Sequence, residues 1–291
     1  MSTGEYIYKD LSQEALDREY NNLKKISNAA EIIDTWERKG EEACALLPCH
    51  LNVKYGPNDM QTMDIFPTHK PRAPILGFVH GGYWSSRSKS ISRFLAPFYT
   101  AAGVNLVCIG YRLCPSVRIG DIVNDIRRSL DWIYEKADGF EGDKNQIFLA
   151  GHSAGGHLAS LMCGPMGPNY LRGGCSLSGI HDLEPIRLSF LNAKVMLTVE
   201  EVAEYSPIKM IEKLSPGNVS LPPLIIGVGE TEGPEYRCQA NALLEALNAA
   251  KQPAVKLIVE DGNHFTACEA FCDPNSSLSN EMLKLIFAPR F

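Results

Sequence analysis

The chain has 291 residues, of which 45% are hydrophobic and 21% are charged, so it can bury a large globular core. Its formal net charge is −6 and it has no basic stripe, which makes nucleic acid an unfavourable partner. The first residues lack the basic start and apolar stretch of a signal peptide, and no segment has about 18 uninterrupted apolar residues. We therefore expect a cytoplasmic protein with no membrane partner.

The N-terminal 50 residues have the pattern of helices. Ser12 can cap a polar helix, and Ile32, Ile33, Trp36, Ala43 and Leu47 recur at roughly helical spacing. We interpret residues 1–50 as a helical extension added to the main fold. Residues 51–66 then alternate around GPND, a turn-forming cluster, and predict an antiparallel hairpin.

Short apolar runs follow the hairpin and predict buried parallel strands. They lie at 74–79, 104–109, 146–150, 173–178, 223–228 and 255–259, and the segments between them are long enough for helices. The segment from Ile119 to Lys136 carries an apolar stripe opposite Asp125, Arg128 and Lys136, as expected of an amphipathic helix on a sheet. The sequence predicts an α/β fold with a mostly parallel central sheet and helices on both faces.

No linker, repeat or low-complexity run divides the chain, so we expect one domain over residues 1–291. Within it, residues 182–222 have Pro-rich ends and are a candidate lid or cap insertion. The nine cysteines are odd in number and scattered, which argues against a disulfide framework. Cys268 and Cys272 lack a second pair or nearby histidines, so we predict no metal and no cofactor.

A candidate nucleophile lies between a predicted strand and a predicted helix. The run QIFLAGHSAGGHLASLM places Gly151, Ser153 and Gly155 at this junction, which is the context of a nucleophile elbow. The two glycines remove Cβ atoms that would clash in such a sharp turn. Ser153 is the candidate nucleophile; a helix start capped by a serine is the alternative explanation of the pattern.

A second glycine motif follows an earlier strand. The run PILGFVHGGYW places His80, Gly81 and Gly82 where many lipases and esterases hold their oxyanion-hole amides. We predict that the backbone N–H groups of Gly81, Gly82 and Ala154 stabilise the oxyanion. His80 is interpreted as a structural hydrogen-bonding residue, and a flexible turn is the alternative for the motif.

The general base must be one of seven histidines. His264 lies in EDGNHF directly after the last strand-like run, so we predict that it is the base. The acid should follow an earlier strand, and PLIIGVGETEGPEY offers Glu230, Glu232 and Glu235. Glu232 is favoured by its place in the loop, since Glu235 falls in the first turn of a predicted helix and Asp261 lies too close to the base in sequence.

Five segments occur in an order that resembles the kynurenine formamidase, or arylformamidase, family in the hormone-sensitive-lipase-like branch of the α/β-hydrolases. They are HGGYW, AGHSAGGHLAS, SGIHDLEP, TEGPEY and GNHF, and the resemblance covers roughly residues 50–287. HGG and GxSxG are typical of the whole superfamily. The Trp after HGGY and the SGIxDL segment narrow the resemblance to this family. The family commonly has aspartate where this chain has Glu232.

The resemblance implies an α/β-hydrolase fold and hydrolysis of N-formyl-L-kynurenine to L-kynurenine and formate, a step of tryptophan catabolism. The partner would be a small aryl formamide, attacked by Ser153 with Glu232 and His264 completing the triad. Two rival functions stay open. One is a general carboxylesterase for small aryl or acyl esters, and the other is a non-catalytic ligand-binding protein, against which the presence of Ser153 and His264 argues.

Three further residues are predicted to contact the substrate. Tyr83 and Trp84 follow the oxyanion glycines, so either ring could stack on the aryl ring, with core packing as the alternative for each. His181 follows a strand in SGIHDL and could line the pocket. Arg87 or Arg112 could meet the substrate carboxylate, but surface arginines are common and we do not include them in the predicted site.

Overall fold

Residues 5–289 are described by a computed structural model, and the centre of the fold is one eight-stranded sheet. The strand order is β1-β2-β4-β3-β5-β6-β7-β8. The pairings of β1 with β2 and of β2 with β4 are antiparallel, and the other pairings are parallel. The strands are β1 (His50–Lys54), β2 (Thr62–Phe66), β3 (Ala73–Val79), β4 (Asn105–Ile109), β5 (Gly142–His152), β6 (Leu171–Leu177), β7 (Leu224–Gly229) and β8 (Ala254–Val259).

Helices precede the sheet and connect most of its strands. Before β1 lie α1 (Gln13–Glu19), α2 (Asn22–Lys25) and α3 (Ala29–Leu46). Later in the chain come α4 (Ala96–Ala102), α5 (Ile119–Lys136), α6 (Ala154–Met162), α7 (Glu184–Leu188), α8 (Asn192–Val195), α9 (Val199–Tyr205), α10 (Pro207–Ile211), α11 (Pro234–Ala249), α12 (Thr266–Glu269) and α13 (Ser277–Ile286). Between residues 5 and 289, no helix is long and apolar enough to cross a membrane.

The predicted sheet is confirmed, and its central strands explain why their runs are apolar throughout. Successive residues of a strand face opposite sides, so Ile75 joins one core cluster and Leu76 joins the other. The first cluster includes residues of α5, α6 and α11, and the second includes residues of α3, α4 and α13. With helices on both faces, neither side of β3 can be polar.

The predicted amphipathic helix is α5, and its apolar stripe is buried as expected. The polar face differs from the prediction at Asp125, which is only 2% exposed. Its carboxylate accepts hydrogen bonds from Gln61 Nε2 at 2.6 Å and from Arg112 Nη2 at 2.7 Å. Because a buried carboxylate needs such partners, Arg112 is committed to Asp125 and is not available to a substrate.

The N-terminal helices pack against the rest of the molecule. Ser12 Oγ caps α1 by accepting from the amide of Ala15 at 3.4 Å. Trp36 of α3 is 2% exposed, and its ring lies edge-on to His152 with ring centres 6.0 Å apart. Since His152 is the last residue of β5, α3 lies beside the carboxyl end of the sheet.

Residues 182–222 form a second covering segment that contains four short helices, α7 to α10. This segment is bonded to α1. Gln13 Nε2 donates to the carbonyl oxygen of Leu188 at 3.0 Å, and Asp17 Oδ1 accepts from the amide of Phe190 at 2.7 Å. We call residues 5–46 and 182–222 together the cap, because these two distant parts of the chain meet on the same side of the molecule.

Candidate active site

Ser153 lies on the sharp turn between β5 and α6. Its backbone has φ 56° and ψ −118°, which is unfavourable for a residue with a side chain and is typical of a nucleophile elbow. A Cβ at Gly155 would collide with the carbonyl group of Val79, and one at Gly151 would collide with the backbone of Gly155. The glycines therefore allow the tight packing that holds Ser153 in this turn.

His264 and Glu232 come from the loops that follow β8 and β7. His264 Nδ1 donates to Glu232 Oε2 at 2.8 Å, and both residues are buried. The other carboxylate oxygen accepts from the amide of Gly229 at 2.7 Å and from Ser178 Oγ at 2.5 Å. Because the proton on Nδ1 is held by Glu232, Nε2 of the neutral ring is left as a base.

The other two glutamates of the same loop have different partners. Glu230 is exposed and accepts from the backbone amide of Asp261 at 3.0 Å. Glu235 lies in the first turn of α11 and pairs with Lys9 at 3.0 Å. Of the three candidates, the structure brings only Glu232 into hydrogen-bonding contact with the ring of His264.

Ser153 and His264 both line a cavity of about 350 Å³. The cap supplies much of its wall, so the interpretation of the N-terminal helices as a mere addition to the fold was incomplete. The sheet side of the wall includes Gly81, Gly82, His152, Ser153, His264 and Phe265; the cap side includes Tyr20, Asn21, Asn22, Leu23, Ile33, Trp36, Phe190, Leu191, Ala193 and Lys194. The cavity is therefore bounded by the sheet on one side and the cap on the other.

The three predicted oxyanion donors lie around the nucleophile. A Cβ built on Gly81 would lie 3.1 Å from Ser153 Cβ, which places this backbone directly against the elbow. Gly82 has φ +113°, a conformation that favours glycine, and lines the cavity with Gly81. Ala154 is the first residue of α6, so its N–H has no partner within the helix. This arrangement is suited to binding an oxyanion.

The three predicted substrate contacts are separated by the structure. Tyr83 lines the cavity, but Trp84 is fully buried outside its wall and donates from Nε1 to His157 Nδ1 at 3.2 Å. His181 is also fully buried outside the wall, with Nδ1 at 3.4 Å from Ser160 Oγ. The expectation that Trp84 and His181 contact a substrate is corrected, because both rings pack into the core.

Tyr83 belongs to a cluster of polar groups that the sequence did not reveal. Its hydroxyl donates to the carbonyl oxygen of Tyr20 at 2.6 Å and lies 2.8 Å from the hydroxyl of Tyr236. Asn22 Nδ2 donates to the Tyr236 hydroxyl at 2.8 Å. The Tyr236 ring lies 4.7 Å from the ring of His264, so this cluster joins the cap to the proposed base. Burial raises the pKa of Tyr83 and of Tyr236, which keeps both hydroxyls neutral.

Two motif histidines are positioning residues. His152 Nε2 donates to the carbonyl oxygen of His264 at 2.7 Å, and burial together with the nearby His264 lowers the pKa of His152 to about 3. His80 Nδ1 donates to the carbonyl oxygen of Gly81 at 2.7 Å, and burial lowers its pKa to about 4. Both stay neutral near pH 7. His80 thus has the hydrogen-bonding role expected from the sequence, whereas the contact of His152 with the base loop was not foreseen.

Other reactive groups lie apart from this arrangement. The nine cysteines are free thiols, and burial raises the pKa of Cys268 and, to about 12, that of Cys272. Within residues 5–289, no group of three or more histidine, cysteine or acidic side chains is placed to hold a metal ion. The chemistry that the described site can support is nucleophilic acyl transfer by a serine.

Comparisons with known proteins agree with this geometry. The BD-FAE family model matches residues 63–176. Kynurenine formamidase of Salmo salar is 28% identical over 96% of this chain and 98% of its own length, and that of Danio rerio is 28% identical over 84% of this chain and 85% of its own. A solved structure from Silicibacter sp. named a "putative thioesterase" is 30% identical, with a TM-score of 0.81 over 94% of this chain and 99% of that chain. Esterase B of Lactobacillus Rhamnosis, at 20% identity and a TM-score of 0.70, covers 90% of this chain and shares the fold. The chain therefore belongs to the α/β-hydrolase superfamily and is a hydrolase that is similar over nearly its whole length to kynurenine formamidases.

Proposed function

We propose that the protein hydrolyses the formamide bond of N-formyl-L-kynurenine to give L-kynurenine and formate, through an acyl-enzyme on Ser153. The observation that carries this proposal is the bond from His264 to Glu232, because His264 lines the same cavity as Ser153. The likeness to two fish kynurenine formamidases supports the choice of substrate. The reaction is a step of tryptophan catabolism, which we expect to take place in the cytoplasm.

The first half of the reaction would form the acyl-enzyme. Ser153 Oγ attacks the formyl carbon while its proton passes to His264 Nε2, and Glu232 stabilises the resulting imidazolium. The carbonyl oxygen becomes an oxyanion that accepts from the backbone N–H groups of Gly81, Gly82 and Ala154. When the C–N bond breaks, His264 returns the proton to the departing aryl amine, and a formyl ester stays on Ser153.

The second half would restore the serine. A water molecule attacks the formyl carbon while His264 Nε2 accepts its proton. Collapse of the second oxyanion then breaks the bond to Ser153 Oγ and releases formate, and His264 returns the proton to Ser153 Oγ. The apolar part of the cavity wall is suited to the aryl group. Trp36, Phe190, Phe265 and Tyr83 line it, and an aromatic contact is worth about 0.5–1.5 kcal/mol beyond the area it buries.

A general carboxylesterase is the second candidate. Among the relatives, a probable isoprenylcysteine alpha-carbonyl methylesterase of Oryza sativa is 25% identical over 74% of this chain and 57% of its own length. Esterase LipC of Mycobacterium tuberculosis is 39% identical over 38% of this chain and 28% of its own length. Both candidates share the triad and oxyanion hole, so substrate preference alone distinguishes them.

The deciding experiment measures kcat/KM of the purified protein for N-formyl-L-kynurenine, p-nitrophenyl acetate and an aliphatic formamide. We expect much the highest value for formylkynurenine, because its aryl amine is the better leaving group and its ring meets an aromatic wall. Efficiency equal to that for the aliphatic formamide, or clearly below that for the ester, would favour the carboxylesterase.

A fluorophosphonate probe tests the covalent route independently of the substrate. We expect labelling of the wild-type protein at Ser153 and none of Ser153→Ala. Ser85→Ala is the matched control, because Ser85 also lines the cavity and this variant should still be labelled. A wild-type protein that stays unlabelled would revive the non-catalytic alternative.

A further inference from the structure

The charged side chains that line the cavity are of one sign. The described residues of the wall include two with basic side chains, Arg87 and Lys194, and none of them is Asp or Glu. Because a cavity with walls of low dielectric constant focuses the field of its charges, this one should attract an anion.

Arg87 and Lys194 come from distant segments of the chain. Arg87 lies on the loop that follows the oxyanion glycines and is held in the left-handed region at φ 69°. Lys194 lies on α8 of the cap. Both side chains belong to exposed residues, so they sit where the cavity meets solvent. We call them the rim pair.

Among the residues that the structure describes, the rim pair has no counter-ion. Within residues 5–289, neither Arg87 nor Lys194 takes part in an ion pair. Arg112, by contrast, makes a two-pronged contact with the buried carboxylate of Asp125. The sequence left Arg87 and Arg112 as equal alternatives, and the structure separates them: only Arg87 faces the cavity.

The rest of the wall is mostly apolar and aromatic. Apolar side chains that line the cavity with the rim pair and the serine include Ile33, Trp36, Ile91, Leu191 and Phe265. A ligand that matched both features would have an apolar or aromatic body and an anionic group at the end remote from Ser153.

We propose that Arg87 and Lys194 are specificity-determining residues that select substrates with a carboxylate remote from the bond being cleaved. This inference rests on the proposed hydrolysis at Ser153, and it adds that an aryl substrate with a free carboxylate is preferred over the corresponding carboxamide. The carboxylate is bound at the rim by two cations from different chain segments, while the reacting carbonyl lies at the sheet side.

The test compares a matched pair of substrates, N-formyl-L-kynurenine and its carboxamide, in which an uncharged amide of nearly the same size replaces the carboxylate. The measured quantity is the ratio of their kcat/KM values in the wild-type protein, in Arg87→Gln, in Lys194→Gln and in the double variant. Lys213→Gln is the matched control, because it removes one positive charge from an exposed residue of the cap that does not line the cavity.

We expect a ratio of about ten in favour of the carboxylate in the wild-type protein, a loss of about threefold in each single variant and a ratio near one in the double variant. These changes are the size expected of partly exposed ion pairs. Lys213→Gln should keep the wild-type ratio. A double variant that retained the wild-type ratio would overturn the proposal, as would an equal loss in Lys213→Gln.

A second measurement separates this proposal from the proposed reaction. If formylkynurenine is not hydrolysed, the reaction proposal fails, but the rim pair is still tested by inhibition of p-nitrophenyl acetate hydrolysis. L-kynurenine should then inhibit more strongly than its carboxamide, by about tenfold, and the preference should decline with added NaCl because salt screens exposed charges. Equal inhibition by both compounds would refute the rim pair even if formylkynurenine were a good substrate.

Discussion

Replacing Glu232 with glutamine tests the part of the proposed triad that the structure defines in most detail. One carboxylate oxygen accepts from Gly229 and Ser178, and the other accepts from His264 Nδ1. In the variant, the amide oxygen must stay toward the Gly229 N–H, since an NH₂ group there would face another donor. The amide NH₂ then faces Nδ1 of His264.

This arrangement reverses the tautomer of the base. Nδ1 becomes an acceptor, the ring proton moves to Nε2, and Nε2 can no longer take the proton of Ser153. The charge that stabilises the imidazolium is lost as well. Replacing the acid of a serine triad with its amide lowers kcat by about 10⁴. We therefore expect a fall of about 10³–10⁴, which raises the activation free energy by roughly 4–5.5 kcal/mol.

The assay is steady-state hydrolysis of formylkynurenine and of p-nitrophenyl acetate, with thermal unfolding to check the fold. Glu230→Gln and Glu235→Gln are the controls, because their carboxylates bond to Asp261 and Lys9 instead of the base. We expect both to retain kcat within a few-fold. A folded Glu232→Gln with nearly normal kcat, or an equal fall in either control, would refute the reasoning.

Three other predictions follow from the same structure. Ser153→Ala and His264→Ala should each lower kcat by several powers of ten. Because the two residues act as one catalytic unit, the double variant should have a kcat little below that of either single variant. Multiplicative losses of kcat in steady-state assays would contradict this. Trp84→Ala should lower the free energy of unfolding, measured with urea, by about 3–5 kcal/mol, because removal of this fully buried ring leaves a cavity. The KM should change little. A raised KM with an unchanged free energy of unfolding would contradict this prediction. Burial lowers the pKa of His157 to about 4 and that of His181 to about 3, whereas both have a pKa of about 6.5 in the unfolded chain. The contribution of the two neutral rings to the free energy of unfolding is therefore complete above pH 6.5. It declines toward pH 4 by up to about 1.4 kcal/mol per pH unit for each ring. Urea unfolding at pH 7.5, 6.5 and 5.5 measures this decline, and a constant free energy of unfolding over that range would contradict it.

Much of the sheet and the elbow could be predicted because their signals are local. A parallel strand buried on both faces must be a short apolar run. The run at 74–79 therefore differs from the observed strand by one residue at its start, and the run at 223–228 differs by one residue at each end. The elbow needs glycines at fixed offsets from Ser153, and chain order together with a place directly after the last strand-like run indicates His264. These features follow from short-range backbone geometry, which a sequence pattern records directly.

The cavity wall could not be predicted in the same way, because it depends on contacts between distant segments. Asn22 bonds to Tyr236, which is 214 residues further along the chain, and no pattern near either residue reveals the contact. The sequence also did not show on which side of its turn the ring of Trp84 lies. Tyr83 and Trp84 both have positive φ angles, at 49° and 54°, and the turn they form sends one ring to the cavity and the other to His157.

Because the cavity is bounded by the sheet on one side and the cap on the other, substrate preference and catalysis depend on different segments of the chain. The groups proposed to make and break bonds lie on loops anchored by neighbouring strands, whereas Lys194 and Phe190 belong to a segment bonded to α1 through Gln13 and Asp17. Interactions made equally in the bound substrate and the transition state alter KM and leave kcat unchanged. Substitutions in this part of the cap should therefore change which substrate is preferred without disabling the serine. The exception is the cluster at Asn22, because its bond to Tyr236 connects the cap to the ring that lies against His264.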